Sequence, residues 1–342
     1  MSALGAGASA GSRRLVDVIF RVREVGILAG LALLVVITTA IRARFLNEQN
    51  IDFILSDTNI FALLGVGEAM VVISRNVDLS VGSVVGLSAY LSGHLFSQVQ
   101  GIPVPVVFLA GLAIGLACGA FNGAVVALAR VPSLVVTLAT LYIIRGLDVV
   151  IVGGNQVVAS TLPNSFHDIS TTSFFGVPVL SVVVAAGVAV AAYYMRCYRS
   201  GRELYAIGSN PEAARLAGIP IGKRVFGAFV ASGAIAGLAG VLWASTYQTV
   251  DSTAGTSYEL QVVAGVVVGG VAIFGGSGTV AGAALGALLL QSILTALNVL
   301  SISSYWDPAI YGLLLLVAIA VDRGIAVQLT SALRKRNLRY GA

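Results

Sequence analysis

The 342-residue chain is 57% hydrophobic and only 10% charged, with a mean hydropathy of +0.95 and a formal charge of +5. A soluble domain carries about 25% charged residues and needs them to cover its surface, so a water-soluble globule is excluded. Runs of the roughly 17–25 apolar residues that cross a bilayer core as helix recur along the chain, and alternating strands of about ten residues are not visible. The fold class is therefore all-α, a polytopic membrane protein.

At the N-terminus, residues 13–24 alternate basic positions with Leu15, Val18, Ile19 and Val22, the pattern of an amphipathic helix lying at the inner membrane surface. Ten spans follow, at about 25–41, 58–74, 81–97, 103–129, 131–152, 177–195, 225–246, 260–275, 279–299 and 305–322. The first is read as an uncleaved helix. The eighth and ninth are separated only by the glycines around Gly275–Gly278.

Charge orients the map. With the N-terminus cytoplasmic, inner segments hold all but three of the 20 Lys and Arg residues; Arg42 and Arg44 fall outside and Arg145 falls inside a span. Both termini and the 196–224 loop are thus expected in the cytoplasm, with 153–176 and 247–259 outside. This asymmetry accounts for the basic excess, so nucleic-acid binding is not needed to explain it. Cys118 and Cys197 give no metal spacing and no disulfide framework.

Glycine makes up 40 positions, many at four-residue spacing: Gly111, Gly115, Gly119 and Gly123, then Gly278, Gly282 and Gly286. Small residues at that spacing line one helix face and let backbones approach closely. The GGSG at 275–278 lacks dinucleotide-loop spacing and a preceding strand, and no G-x-x-x-x-G-K-[ST] phosphate loop occurs.

Polar residues inside the apolar runs are costly and so informative. Glu68, Arg145 and Asp148 lie within or against spans and read either as a polar pathway or as internal ion pairing. RNVDLSVGS at 75–83 separates two spans; Asp78 is placed to N-cap the second. Such a break is also how transporters put ligand groups at membrane depth. The outer loops offer Asn155, Gln156, Tyr247 and Glu259, with Tyr258, Tyr305 and Trp306 nearby, a mix of rings, amides and carboxylates that suits sugar hydroxyls and equally suits interface anchoring.

The loop YAIGSNPEAARLAGIPIGKR, 205–224, holds one short water-exposed helix. Asn210 is its N-cap, Pro211 its first residue, Glu212 an acid at the positive dipole end, and Gly218 its C′ residue before Pro220. It is too short to cross a bilayer.

DLSVGS at 78–83, TLATLYIIRG at 137–146, GRELYAIGSNPEAARLAGI at 201–219, and STAGTSYEL followed by VVVGGVAIFGGSGTVAGAALGALL resemble the ribose-type sugar permeases, membrane subunits of bacterial ABC importers. The likeness runs in order through nearly the whole chain. It implies one permease domain over 1–342 in the bacterial inner membrane, paired with a second permease subunit as homodimer or heterodimer. It also implies cytoplasmic ATPase subunits that bind ATP and Mg, no cofactor in this chain, and an extracytoplasmic solute-binding protein. By the same resemblance Gly208, Asn210, Glu212, Ala213, Ala214, Arg215 and Gly218 belong to the coupling helix that docks on the ATPase. Asn76, Asp78, Ser80, Asn155, Gln156, Tyr247 and Glu259 are the candidate solute path. Arg75–Asn76 stands where ribose permeases usually have Gly–Gly, and is more similar to rhamnose or autoinducer-2 permeases. An ion-coupled secondary transporter is the alternative, with Glu68 and Asp148 as its candidate ion-site residues.

Overall fold

The computed structural model describes residues 24–174 and 176–320. The 13–23 stretch of the amphipathic segment and both termini lie outside the described residues. The helices are α1 (Glu24–Ile41), α2 (Glu48–Ile73), α3 (Val81–Gln98), α4 (Val104–Leu128), α5 (Ser133–Val152), α6 (Asn164–Thr171) and α7 (Val179–Cys197). They continue with α8 (Arg199–Ser209), α9 (Pro211–Leu216), α10 (Ile221–Tyr247), α11 (Tyr258–Val268), α12 (Val280–Val299) and α13 (Ser304–Ala320). A two-residue ribbon, β1 (Ser173–Phe174) with β2 (Val177–Pro178), leads into α7.

Each of the ten apolar runs forms a helix, and seven are long and apolar enough to cross a membrane: α1, α2, α4, α5, α7, α10 and α12. The other three depart from the expected spans for physical reasons. Serines and His94 interrupt the apolar surface of α3, and α13 has 17 residues. The span expected at 260–275 stops at Val268, because Gly270, Gly275, Gly276 and Gly278 take positive φ and turn the chain. The 11 residues of α11 rise only about 16 Å, half a hydrocarbon core. In the other direction, α2 starts at Glu48 rather than 58. Its polar first turns hide the helix from hydropathy, and Asn47 caps it by accepting the Asn50 N–H at 2.8 Å.

The bundle is organised around α10, which packs on α4, α3 and α2, while α12 packs on α2. The α4–α10 seam is backbone against backbone. A Cβ on Gly115 would strike the carbonyl of Gly233, one on Gly119 the carbonyl of Phe229, and one on Gly233 or Gly237 the α4 glycines in return. In lipid, where neighbouring helices gain little from hydrophobic exclusion, such close approach supplies the van der Waals contact that holds them.

The connection after α10, expected outside, packs between the helices instead of standing clear of them. Residues 248–257 fold back so that Ala254 and Gly255 lie against Gly86 and Gly82 of α3. Gly240 sits beside Val85 and Ser88, about 10 Å down α10 from Tyr247, so the segment re-enters the bundle. Arg145 holds it there, its Nη1 donating to the carbonyls of Ala254 at 2.6 Å and Ser252 at 3.4 Å. The ion pairing that was one reading of Arg145 takes the form of a 3.7 Å approach to Asp148 on its own helix.

The topology is testable by labelling in intact cells after removal of Cys118 and Cys197. A cysteine at exposed Asn155 is expected to react with an impermeant reagent, and one at exposed Ser209 is expected to be protected. Labelling at Ser209 would overturn the map.

Candidate functional site

The short helix α9 is closed at both ends by its own sequence. The Asn210 carboxamide oxygen accepts the Ala213 N–H at 3.1 Å, and Pro211 occupies the first position, where an N–H would have no partner. At the other end Gly218 N–H reaches the Arg215 carbonyl and Ile219 N–H the Ala214 carbonyl, both at 3.0 Å, with Gly218 at φ +75°. That paired pattern is a Schellman stop, which favours glycine at C′. Ala214 packs inward; Glu212, Ala213, Arg215 and Leu216 face out, and Leu216 is 90% exposed.

Helix α8 seats this element on the bundle. Glu203 is buried on α8 and accepts from Arg224 Nε and from Arg199 Nε, the latter at 2.7 Å. These two guanidinium groups, Arg224 first, hold its carboxyl below the usual carboxylate range. Tyr205 donates its hydroxyl proton to the Gly278 carbonyl at 3.1 Å. At the end of α8, Gly208 lies so close to the Ile73 carbonyl and the Gly276 nitrogen that no Cβ fits. Gly276 N–H in turn donates to Ile73 O at 2.9 Å, and a Cβ on Gly275 would stand 2.8 Å from that of Arg75. The end of α8, the end of α2 and the glycine turn after α11 thus meet at one junction.

From that junction the chain runs through the break at 74–80. Asn76 donates to the Ser74 carbonyl at 3.0 Å and is half-buried at the edge of a cleft of about 670 Å³ shared with α9. Asp78 is not the N-cap of α3; Ser80 holds that position. The Asp78 Oδ1 accepts from Ser80 N–H at 3.0 Å and Oγ at 2.6 Å, while Oδ2 accepts from Ser232 at 3.3 Å. Asp78 N–H donates to Glu68 Oε1 at 3.1 Å, and Asn122 donates to Ser80 Oγ at 2.8 Å. All five side chains of this knot are buried, so it ties α2, α3, α4 and α10 together and is sealed in this structure.

The outer candidates sit above it. The Glu259 carboxylate lies over Gly82, in the first turn of α3, and Tyr247 donates to Asp57 at 2.5 Å across α10 and α2. Asn155 and Gln156 are exposed beside Val157, whose backbone pairs with Val250. Two outer cavities, about 570 and 730 Å³, share Asn47, Gln49, Phe53, Asp57 and Tyr247 in their walls. The structure therefore groups the path candidates into an inner set at the break and an outer set around α10's end, with Glu259 between them. Sequence reasoning missed Asn122, Ser232 and Asp57. Asn122 had a signal, a lone amide in a 25-residue apolar helix; Ser232 and Asp57 had none that separates them from other serines and helix-start acids.

Residues 50–319 match the family described as branched-chain amino acid transport system / permease component. The chain belongs to this family of ABC import permeases, as a multi-pass inner-membrane protein. It is 35% identical over 318 residues to the autoinducer 2 import system permease protein LsrC of Enterobacter sp. (strain 638), covering 93% of this chain and 91% of that one. The proteins of the same name from Escherichia coli O9:H4 (strain HS) and Salmonella typhimurium (strain LT2) are each 34% identical over 314 residues. Those matches cover 92% of this chain and 91% and 89% of theirs. No solved structure matches. Family membership sets aside the ion-coupled alternative.

The Glu203 clasp carries a pH signature. Because its folded pKa is depressed, its stabilising contribution is present above the unfolded glutamate value of about 4.3 and is lost as pH falls through the lower folded value. Glu203→Gln is expected to lower the thermal midpoint of the purified protein at pH 7. The gap from the unsubstituted protein should narrow as pH falls below about 4.3. A gap that is constant with pH would contradict the charge-based clasp.

Proposed function

We propose that the chain is the membrane-spanning subunit of an importer for a small sugar-like solute. ATP and Mg are bound and ATP is hydrolysed on cytoplasmic ATPase subunits; an extracytoplasmic binding protein delivers the solute. The translocation unit contains a second permease subunit, a copy of this chain or a related one. In this reading α9 is the coupling helix. The observation that carries the reading is the seating of Gly208 against both Ile73 and Gly276.

The mechanism follows from that contact. A force on α9 through Glu212, Arg215 and Leu216 is not absorbed in its short link to α8, because Asn210 and Gly218 fix both helix ends. It passes through Gly208 to the end of α2 and to the glycine turn. Ile73 leads directly into Asn76, Asp78 and Ser80; the turn ends α11, which carries Glu259. Movement of α9 therefore shifts the inner and middle path candidates together. Asn76, Asp78, Ser80, Glu259, Tyr247, Asn155 and Gln156 then offer amides, carboxylates and a ring along one route, the chemistry that recognises hydroxyl groups. The names of the relatives support autoinducer 2 or a closely similar polyhydroxylated molecule as the solute.

Reconstituted vesicles containing the complete transporter test the coupling role. With Glu212→Arg and Gly218→Val combined, insertion and yield are expected to stay normal while stimulated ATP hydrolysis and uptake fall together. Gly218→Val acts through backbone strain alone, since nothing lies within 4 Å of its Cβ position. In the same vesicles Asn76→Gly is expected to change uptake or solute preference and leave assembly intact. Near-normal stimulation and uptake in the double variant would contradict the assignment of α9.

A further inference from the structure

The cleft beside Asn76 has a feature that solute passage does not use. Its rim carries three arginines from three different connections: Arg75 from the break after α2, Arg130 from the turn between α4 and α5, and Arg215 from α9. No carboxylate lines it. Among the described residues the Arg75 and Arg130 side chains make no hydrogen bond or ion pair, and Arg215 has only a 3.8 Å approach to Glu212, both of them largely exposed. Arg75 and Arg130 also sit at positive φ, 69° and 55°, a conformation that side-chain-bearing residues resist. An excess of inner arginines is ordinary in a membrane protein, but that rule does not gather three of them in the wall of one concavity.

We propose that this cleft is a binding site for a phosphate-bearing anion at the cytoplasmic face. Guanidinium forks match phosphate oxygens in pairs, and three of them around one cavity complement a multiply charged group better than a single carboxylate. The Ser133 hydroxyl stands at the same wall, accepting Val77 N–H at 3.2 Å and leaving its own proton to donate. Ile207, Val126 and Val225 supply an apolar floor that raises the strength of those charge-assisted bonds. The same chemistry is offered by a soluble phosphate compound in the cytoplasm and by the headgroup of an anionic inner-leaflet lipid. Either source would bridge Arg215 on α9 to Arg75 at the break. The occupied cleft thus restrains the element that the proposed coupling role requires to move. The site itself does not depend on that role.

The test uses the purified full-length chain in nanodiscs of zwitterionic lipid, titrated with inorganic phosphate and with pyrophosphate. Saturable binding is expected, weakened about tenfold or more in Arg75→Gln/Arg130→Gln, as loss of charge-assisted bonds requires. Lys223→Gln, an exposed cation outside the cleft, is expected to leave binding unchanged. A parallel arm uses nanodiscs containing phosphatidylglycerol and reads lipid retention by native mass spectrometry. Arginine-dependent retention without phosphate binding would assign the site to lipid and still support it. Binding of neither probe, or equal loss in the Lys223 variant, would overturn the proposal. Arginine-dependent binding of the ATPase subunit with no anion binding would also overturn it, marking the arginines as a protein-docking surface. Because each readout is binding without transport, it stands or falls separately from the coupling role of α9.

Discussion

Backbone pressed against backbone at glycine is the constraint on which this protein depends. A bilayer gives packed helices little hydrophobic reason to associate, so close van der Waals approach must hold them, and that approach requires the absence of a Cβ. The requirement appears at every joint that matters. Gly115 and Gly119 meet Gly233 and Phe229 along α4 and α10; Gly82 and Gly255 hold the re-entrant segment to α3; Gly286 rests on Gly265 to join α12 to α11. The same device, used at Gly208, fastens the end of α8 to the break after α2. An added methyl at such a joint is overpacking, which in well-packed interiors costs about 1–3 kcal/mol.

Polar groups are placed under the complementary constraint. Inside the bundle an unpaired polar group is costly, and the knot of Glu68, Asp78, Ser80, Asn122 and Ser232 joins three helices to the break, with only Glu68 Oε2 and Asn122 Oδ1 of its side-chain atoms left without a hydrogen bond. Only the lack of a continuous helix between Ile73 and Val81 leaves backbone free to enter such a network. The break is thus a weak point in regular structure and a strong point in hydrogen bonding.

Much of this was legible in the sequence, for identifiable reasons. The apolar runs are long and the basic residues one-sided, so the all-α membrane class followed from hydropathy and charge. Asn210, Pro211 and Gly218 bound α9 because caps are local chemistry, readable within a few residues. The polar start of α2 was missed because hydropathy registers what faces lipid, and Glu48, Asp52 and Asp57 belong to the aqueous end of a helix. The early stop of α11 was missed because the glycines from Gly270 to Gly278 sit inside an unbroken apolar run, and the inward fold of 248–257 because it rests on a contact distant in sequence, Arg145 with Ala254. No local pattern encodes a partner more than a hundred residues away. For the same reason Asp78 read as an N-cap when its carboxylate serves a wider knot.

The central claim is that Gly208 transmits between the cytoplasmic helix and the break. The direct measurement places spin labels on Leu216 and on a cytoplasm-exposed site at the start of α5, and reads their distance distribution with and without nucleotide in the assembled transporter. Gly208→Val is compared with the unsubstituted protein. The expected result is one narrow distance that shifts between nucleotide states in the unsubstituted protein. In Gly208→Val it should become a broad distribution insensitive to nucleotide, with stimulated uptake lost and membrane insertion retained. A Gly208→Val protein that keeps the same narrow, nucleotide-dependent distances and full uptake would contradict the claim.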